Sequence, residues 1–438
     1  MMIERLQKEL KYGKVFLGFA FLRIIGHGLM FLVPLLLARF FSPEVFGAYS
    51  LSIMLVYFFT TLFINSSQKP FIVYASEELA KYGTIRKAFT VRVVLLSLSV
   101  FLFSLLSLLL IDPLSSFASI TKGQYLFLFF AYIGVGIRYF FEAVFLALNH
   151  RLVHVLYDII TGIFSVIFIL ITYAFFGITL EAVFVMFAVA PVLAAPFCAK
   201  WFETQKLFPL SFDRVVFSGM LDYTKWTALG GVSVYFINWG DNLVLRYFVS
   251  LKDIGAYNLG YQVFKGTLML LGAINLYFLP FISQNKDDSS KMSVYLNKKR
   301  PRILIAGFVG IVLLALIMPS LFTYLYEDAY KKSIVVTEIL LIASLFVLYK
   351  TFYTPIFEAF KRYRFTQITD IGMVISNVLL NIIFVALWGM LGAAIATVTT
   401  YIGATITYEI YFRKNISSFI ANWKDCGQEN ARVEQYHL

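Results

Sequence analysis

Apolar residues fall in blocks close to twenty long, separated by short stretches that hold charge, proline or glycine. The blocks lie roughly at 15–38, 47–64, 88–111, 124–148, 155–176 and 180–200, then at 222–245, 254–280, 302–324, 334–356, 367–388 and 390–412. About 20 apolar residues in a helix cross the hydrocarbon core of a bilayer. The blocks lack the two-residue alternation of barrel strands, and helices satisfy their own backbone groups in lipid. The pattern therefore predicts an all-α integral membrane protein with twelve transmembrane helices.

The blocks also repeat. Arg39–Tyr49 (RFFSPEVFGAY) returns as Arg246–Tyr257 (RYFVSLKDIGAY), each time between two blocks. A second register, 212 positions apart, matches Arg138 with Lys350, Ala147 with Ala359, Asp158 with Asp370, Gly177 with Gly389 and Ala182 with Ala394. The chain thus reads as two pseudo-symmetric six-helix lobes. Residues 1–205 form the first, opening with an interfacial helix over 1–14; residues 206–412 form the second with its linker, and 413–438 are a cytoplasmic tail. Two related halves lead one to expect a site between them and a rocking motion about it.

With 60% hydrophobic and 14% charged residues and a mean hydropathy of +0.79, no aqueous fold could hide this much apolar surface. Basic residues set the orientation. Arg5, Lys8, Lys11 and Lys14 precede the first block, Lys69, Lys81, Arg86 and Lys87 follow the second, and Lys286, Lys291, Lys298, Lys299, Arg300 and Arg302 follow the eighth. This bias places both termini in the cytoplasm. It also accounts for most of the +12 net charge, so anionic membrane lipids, not nucleic acid, are the expected partner. The segment 65–90 should extend the second helix into the cytoplasm, and 284–301 reads as a solvated, partly mobile loop. No extramembrane stretch exceeds roughly thirty residues, too few for a domain. Cys198 and Cys426 lie toward the reducing side, where no structural disulfide is expected.

Charged residues inside the blocks carry the candidate chemistry. Arg23 sits well within the first block, where insertion costs about 2.5–3.5 kcal/mol unless it meets water or a partner. His27 lies one turn on, flanked by Gly26, Gly28 and Pro34. A cavity-lining role stands beside the plainer one of an arginine snorkelling to the interface. Lys265 shares a helix face with Tyr261 and Tyr257, a stripe suited to phosphate and sugar or to a structural cation–π contact. Arg138 and Lys350 are repeat partners, and Glu142, one turn from Arg138, offers it a carboxylate. Lys225 has Asp222 three residues away. Asn238, Asp241 and Asn242 cluster on one face, while Asp158 and Asp370 read as helix caps or partners of loop arginines. His150 and His154 have metal-pair spacing but no intervening glutamate, and read as a basic surface patch. Nothing predicts a metal, a cofactor or a catalytic centre.

The stretch RFFSPEVFGAY after the first block resembles the R-x-L-G-P-x-x-F/Y-G-x-Y pattern of bacterial polysaccharide-transport flippases, the O-antigen type lipid-linked oligosaccharide flippases of the multidrug/oligosaccharidyl-lipid/polysaccharide (MOP) superfamily. Asp241 with Leu243, Val244 and Leu245, followed by Gly255, Ala256 and Tyr257, is similar to the second-half signature, with Asn242 where that pattern has a basic residue. The resemblance implies an alternating-access flippase that moves an undecaprenyl-diphosphate-linked glycan from inner to outer leaflet of a bacterial cytoplasmic membrane. It also implies glycan polymerase and chain-length proteins as further partners. On that reading the substrate-binding candidates are Arg23, His27, Arg138, Lys225, Tyr257, Tyr261, Lys265 and Lys350, and the coupling candidates are Asp241 and Glu142. A drug or metabolite exporter of the same superfamily would be expected to centre on carboxylates instead. A membrane glycan polymerase or ligase would present a large outer loop with catalytic residues, and a receptor or scaffold would not need internal cations.

Overall fold

The computed structural model describes residues 22–23, 25–285 and 288–415. The expected interfacial helix over 1–14, nearly all of the tail, and Cys426 lie outside the described residues. Among those residues there are twelve long helices: α1 (Ile25–Phe40), α2 (Pro43–Tyr82), α3 (Arg86–Leu109), α4 (Lys122–Ala147), α5 (Arg151–Phe175), α6 (Leu180–Cys198), α7 (Arg214–Phe248), α8 (Leu251–Asn285), α9 (Arg300–Tyr326), α10 (Lys331–Thr351), α11 (Tyr363–Trp388) and α12 (Met390–Asn415). Most are long and apolar enough to cross a membrane; α1 is apolar but shorter over its described residues, and α7, with Lys225, Asp241 and Arg246 along it, is more polar. Phe101, Leu109, Phe175, Leu316 and Ile368 are exposed. Such side chains facing outward make lipid the solvent.

Sequence punctuation places the helix ends. Ser42 Oγ accepts the Val45 amide at 3.4 Å, with Pro43 in the first turn of α2, so one orphan donor is met and the fixed φ of proline suits the start. Thr121 and Gln124 form a reciprocal capping box on α4. Residue 65 onward does continue α2 as expected, as far as Tyr82. The helix is interrupted on the way by a π turn over Thr60–Ile64 and a 3-10 turn over Asn65–Ser67.

The duplication is visible in backbone detail. Ser250 caps α8 by accepting the Asp253 amide at 3.2 Å, repeating the role of Ser42 on α2. Asn149 and Lys361, repeat partners before α5 and α11, both take positive φ, 63° and 57°. Gly177 and Gly389, before α6 and α12, do likewise, at 73° and 59°. Side-chain caps and left-handed turns at matching points are hard to produce by apolar composition alone.

The chain forms two compact units, residues up to Phe236 and residues from Ile237, the division falling within α7. In the first, α4 packs on α6 so closely that a Cβ on Gly134 would lie 1.9 Å from the Phe187 carbonyl oxygen. The early part of α7 packs on α2, with the Tyr235 hydroxyl donating to the Met54 carbonyl at 3.1 Å. In the second unit α8, α10 and α12 surround a core of Phe278, Phe352, Tyr353, Phe357 and Tyr408. Tyr295 joins that core, which corrects the expectation of a mobile loop over 284–301: Ser289–Val294 and Tyr295–Lys299 are helical, and Met292, Tyr295 and Leu296 at helical spacing turn inward.

Candidate functional site

In the first unit the intramembrane charges converge. Arg138 on α4 donates from Nε to Glu142 at 2.8 Å and from Nη2 to Asp158 on α5 at 2.8 Å. The side chains of Glu142 and Asp158 are only 8% and 6% exposed, so this ion cluster is desolvated and held by its own geometry. Asp158 was expected to cap a helix or meet a loop arginine; its partner is Arg138, inside the membrane block. Gly26 brings α1 close, since a Cβ there would sit 3.4 Å from the Asp158 Cβ. His27, one residue on, lies within coulombic reach of Asp158 and Arg138, and its Nε2 accepts from Arg23 Nε at 3.3 Å. Arg23 itself, which precedes the start of α1, is exposed.

His154 departs from the expected surface patch. It is 8% exposed, lies one turn before Asp158, and its buried Nδ1 has no hydrogen-bond partner among the described residues. His150 alone sits at the loop, 2.6 Å from Glu203, which Lys206 also holds; the hydrogen bond from Lys206 first, and that from His150, keep the Glu203 carboxyl below its usual range.

Arg92 escaped the sequence reading. It is fully buried on α3, donates to the Ile64 carbonyl at 3.0 Å and to Ser67 Oγ, and so meets groups freed where α2 is broken. The signal was present: a lone arginine in the otherwise apolar run Phe89–Leu96.

The second unit holds the other candidates. Lys265 Nζ on α8 stands 3.9 Å from the Trp239 ring centroid and 5.1 Å from that of Tyr261, and Tyr261 stacks on Tyr257 at 5.7 Å. The stripe read from the sequence therefore exists, with Trp239 as a member not foreseen. Asp241 is buried and held by neutral donors: Tyr257 Oη, Asn381 Nδ2 at 2.8 Å and Thr397 Oγ1 at 3.1 Å. Asn242, the departure from the expected basic residue, instead pairs amide to amide with Asn258. Asn377 and Asn381, one turn apart in α11, were missed although polar residues at that spacing in an apolar block mark an inward face.

Lys350 on α10 lies 4.7 Å from the Tyr408 ring and 3.8 Å from Asp370 on α11. This repeats the Arg138–Asp158 pairing of α4 and α5 at matched positions. Lys225 is outside any such cluster, exposed and 3.8 Å from Asp222.

Residues 36–300 match the family described as polysaccharide biosynthesis protein. Over 208 residues the chain is 25% identical to a probable low-salt glycan biosynthesis flippase, Agl15, of Haloferax volcanii; the match covers 46% of this chain and 42% of that protein, less than half its length. Among solved structures, the lipid II flippase MurJ in an inward closed conformation aligns with a TM-score of 0.73 at 17% identity, over 90% of this chain and 86% of that one. An inward-facing multidrug resistance MATE family transporter of the MOP superfamily aligns with a TM-score of 0.71 at 13% identity, over 91% and 94%. These two likenesses establish the fold, an α-helical bundle of the kind those two structures share. The family match spans more than half of the residues, and this chain belongs to the polysaccharide biosynthesis protein family.

Proposed function

We propose that the protein is an alternating-access flippase for a lipid-linked glycan, its lipid carried by a diphosphate such as undecaprenyl diphosphate. The observation that carries this reading is the cationic and aromatic stripe of the second unit, where Lys265 lies against Trp239 and Tyr261. An ammonium in a low-dielectric interior offers a diphosphate compensating charge, and aromatic faces offer sugars a stacking surface. Arg23 and Lys350 add positive charge at membrane depth, and Arg23, unlike Arg138, is not locked in a desolvated ion cluster. Arg138 is accordingly assigned to the framework, and the exposed Lys225 to a peripheral role at most. Asp241 and Glu142 are the coupling residues. Family membership supports the glycan, and an exporter of cationic drugs would find the wrong sign of charge at Lys265. The membrane is the cytoplasmic one, with both termini inside.

The test is surface-glycan display in a flippase-deficient cell, with membrane levels of each variant measured in parallel. Arg23→Ala and Lys265→Ala should abolish display at normal protein levels, and Arg23→Lys should retain part, because charge matters more here than the guanidinium fork. Full display by both alanine variants would remove this reading.

A further inference from the structure

We propose that Glu142 and Asp158 together form a proton-binding site in the first half of the molecule, holding one exchangeable proton whose release is tied to movement of α1. This rests on the flippase reading only for its biological purpose; the site itself stands on charge and geometry.

One cation meets two carboxyl groups. Arg138 bonds both Glu142 and Asp158, so two buried carboxyl groups share a single guanidinium. One guanidinium balances only one of two buried carboxylates, and a proton on the second removes the uncompensated charge. With that proton the cluster is neutral: one guanidinium, one carboxylate, one carboxylic acid. Without it a net negative charge is left in a site from which water is nearly excluded, which is costly and therefore responsive to its surroundings.

The duplication supplies an internal control. The counterparts of Arg138 and Asp158 are Lys350 and Asp370, which also pair. The counterpart of Glu142 is Thr354 and that of His154 is Thr366. The second half has the structural pair without the extra carboxyl and without the imidazole. If the cluster served only to hold two helices together, the second half shows that one cation and one carboxylate are enough.

The surroundings suit a proton that moves. His154, one turn from Asp158, has a buried Nδ1 with no partner among the described residues, a base able to take the proton from the carboxyl pair. His27 on α1 is within coulombic reach of His154 and bonded to the exposed Arg23, extending the line of titratable groups outward. Among the described residues, the remaining titratable groups near the cluster are tyrosines: Tyr57 from α2, Tyr139 from α4 and Tyr157 from α5. None of these is acidic at neutral pH. In the transfer the O–H bond of the carboxylic acid breaks, an N–H bond forms on the imidazole, and the proton then leaves to water with no other reactant. The deprotonated cluster, net negative, attracts Arg23 and His27 and so draws on α1, which gives protonation a mechanical consequence.

The test needs no transport substrate, so its outcome is separate from that of the flippase reading. Full-length protein in lipid nanodiscs is followed by difference infrared spectroscopy through a pH titration, and by hydrogen exchange of residues 25–40. Wild type should show one protonated carboxyl at neutral pH that disappears on alkalinisation, with exchange of α1 changing over the same range. Glu142→Gln and Asp158→Asn, each close to isosteric, should both lose that carboxyl band and the pH dependence of α1. Asp370→Asn should retain both. The absence of a protonated carboxyl in wild type, its persistence in both variants, or α1 exchange that follows pH unchanged in them would overturn the proposal.

Discussion

Arg92 shows how much a single side chain can hold in this protein. Its guanidinium binds the Ile64 carbonyl and Ser67 Oγ at the place where α2 leaves regular helix, and Phe71 lies beneath it with the ring centroid 6.0 Å from the guanidinium carbon. Replacing it by leucine removes a buried charge but strands a carbonyl, a loss of about 1–3 kcal/mol for an unsatisfied buried group. Arg92→Leu should therefore lower thermal stability and raise hydrogen exchange around residues 60–67, with distant helices unaffected; unchanged exchange there would show that the break is held by other contacts. The same scale shows what the sequence could disclose. Lys265 with Tyr257 and Tyr261 was legible because a helical spacing of four puts them on one face. The Arg138–Glu142 contact was legible for the same reason. Arg138 to Asp158 was not, because twenty residues and a turn separate them and only the packing of α4 beside α5 joins them. Trp239 beside Lys265 and Asn381 beside Asp241 were hidden for that reason too.

At the scale of elements, helix number and the duplication could be read from apolar blocks and two registers, since lipid imposes both length and backbone satisfaction. The broken course of α2 and the folding of 289–299 could not be. Local turns of π or 3-10 type carry no strong sequence mark, and the polar stretch QNKDDSSKMSVYLNKKRP conceals an apolar face of only three residues. Helix contacts without a hydrophobic driving force depend on close approach, which gives small residues their weight. Gly134→Ala places a methyl group at 1.9 Å from the Phe187 carbonyl oxygen, so α4 and α6 must separate, at a cost of about 1–3 kcal/mol for overpacking. Gly310→Ala, with nothing within 4 Å, should be close to neutral or slightly stabilising. Thermal unfolding of the two variants in the same detergent checks this, and equal melting temperatures would contradict the packing described for the first unit.

For the whole molecule, duplication with divergence is the organising fact. Both halves keep the serine caps, the left-handed turns and one cation–carboxylate pair between equivalent helices, so these belong to the architecture. What differs is chemistry: a carboxyl pair with histidines in the first half, and a lysine against aromatic rings beside a buried aspartate in the second. Under the two proposals above, the first half binds a proton and the second holds the anionic headgroup. The most direct measurement is flipping itself. Purified protein is reconstituted into liposomes with a fluorescent undecaprenyl-diphosphate-linked oligosaccharide, and the fraction reaching the opposite leaflet is read by the accessibility of its glycan to an added enzyme. Transfer by wild type that falls to the protein-free background in Lys265→Ala is the predicted result; no transfer by well-folded wild type with any diphosphate-linked glycan, or equal transfer by Lys265→Ala, would contradict the account.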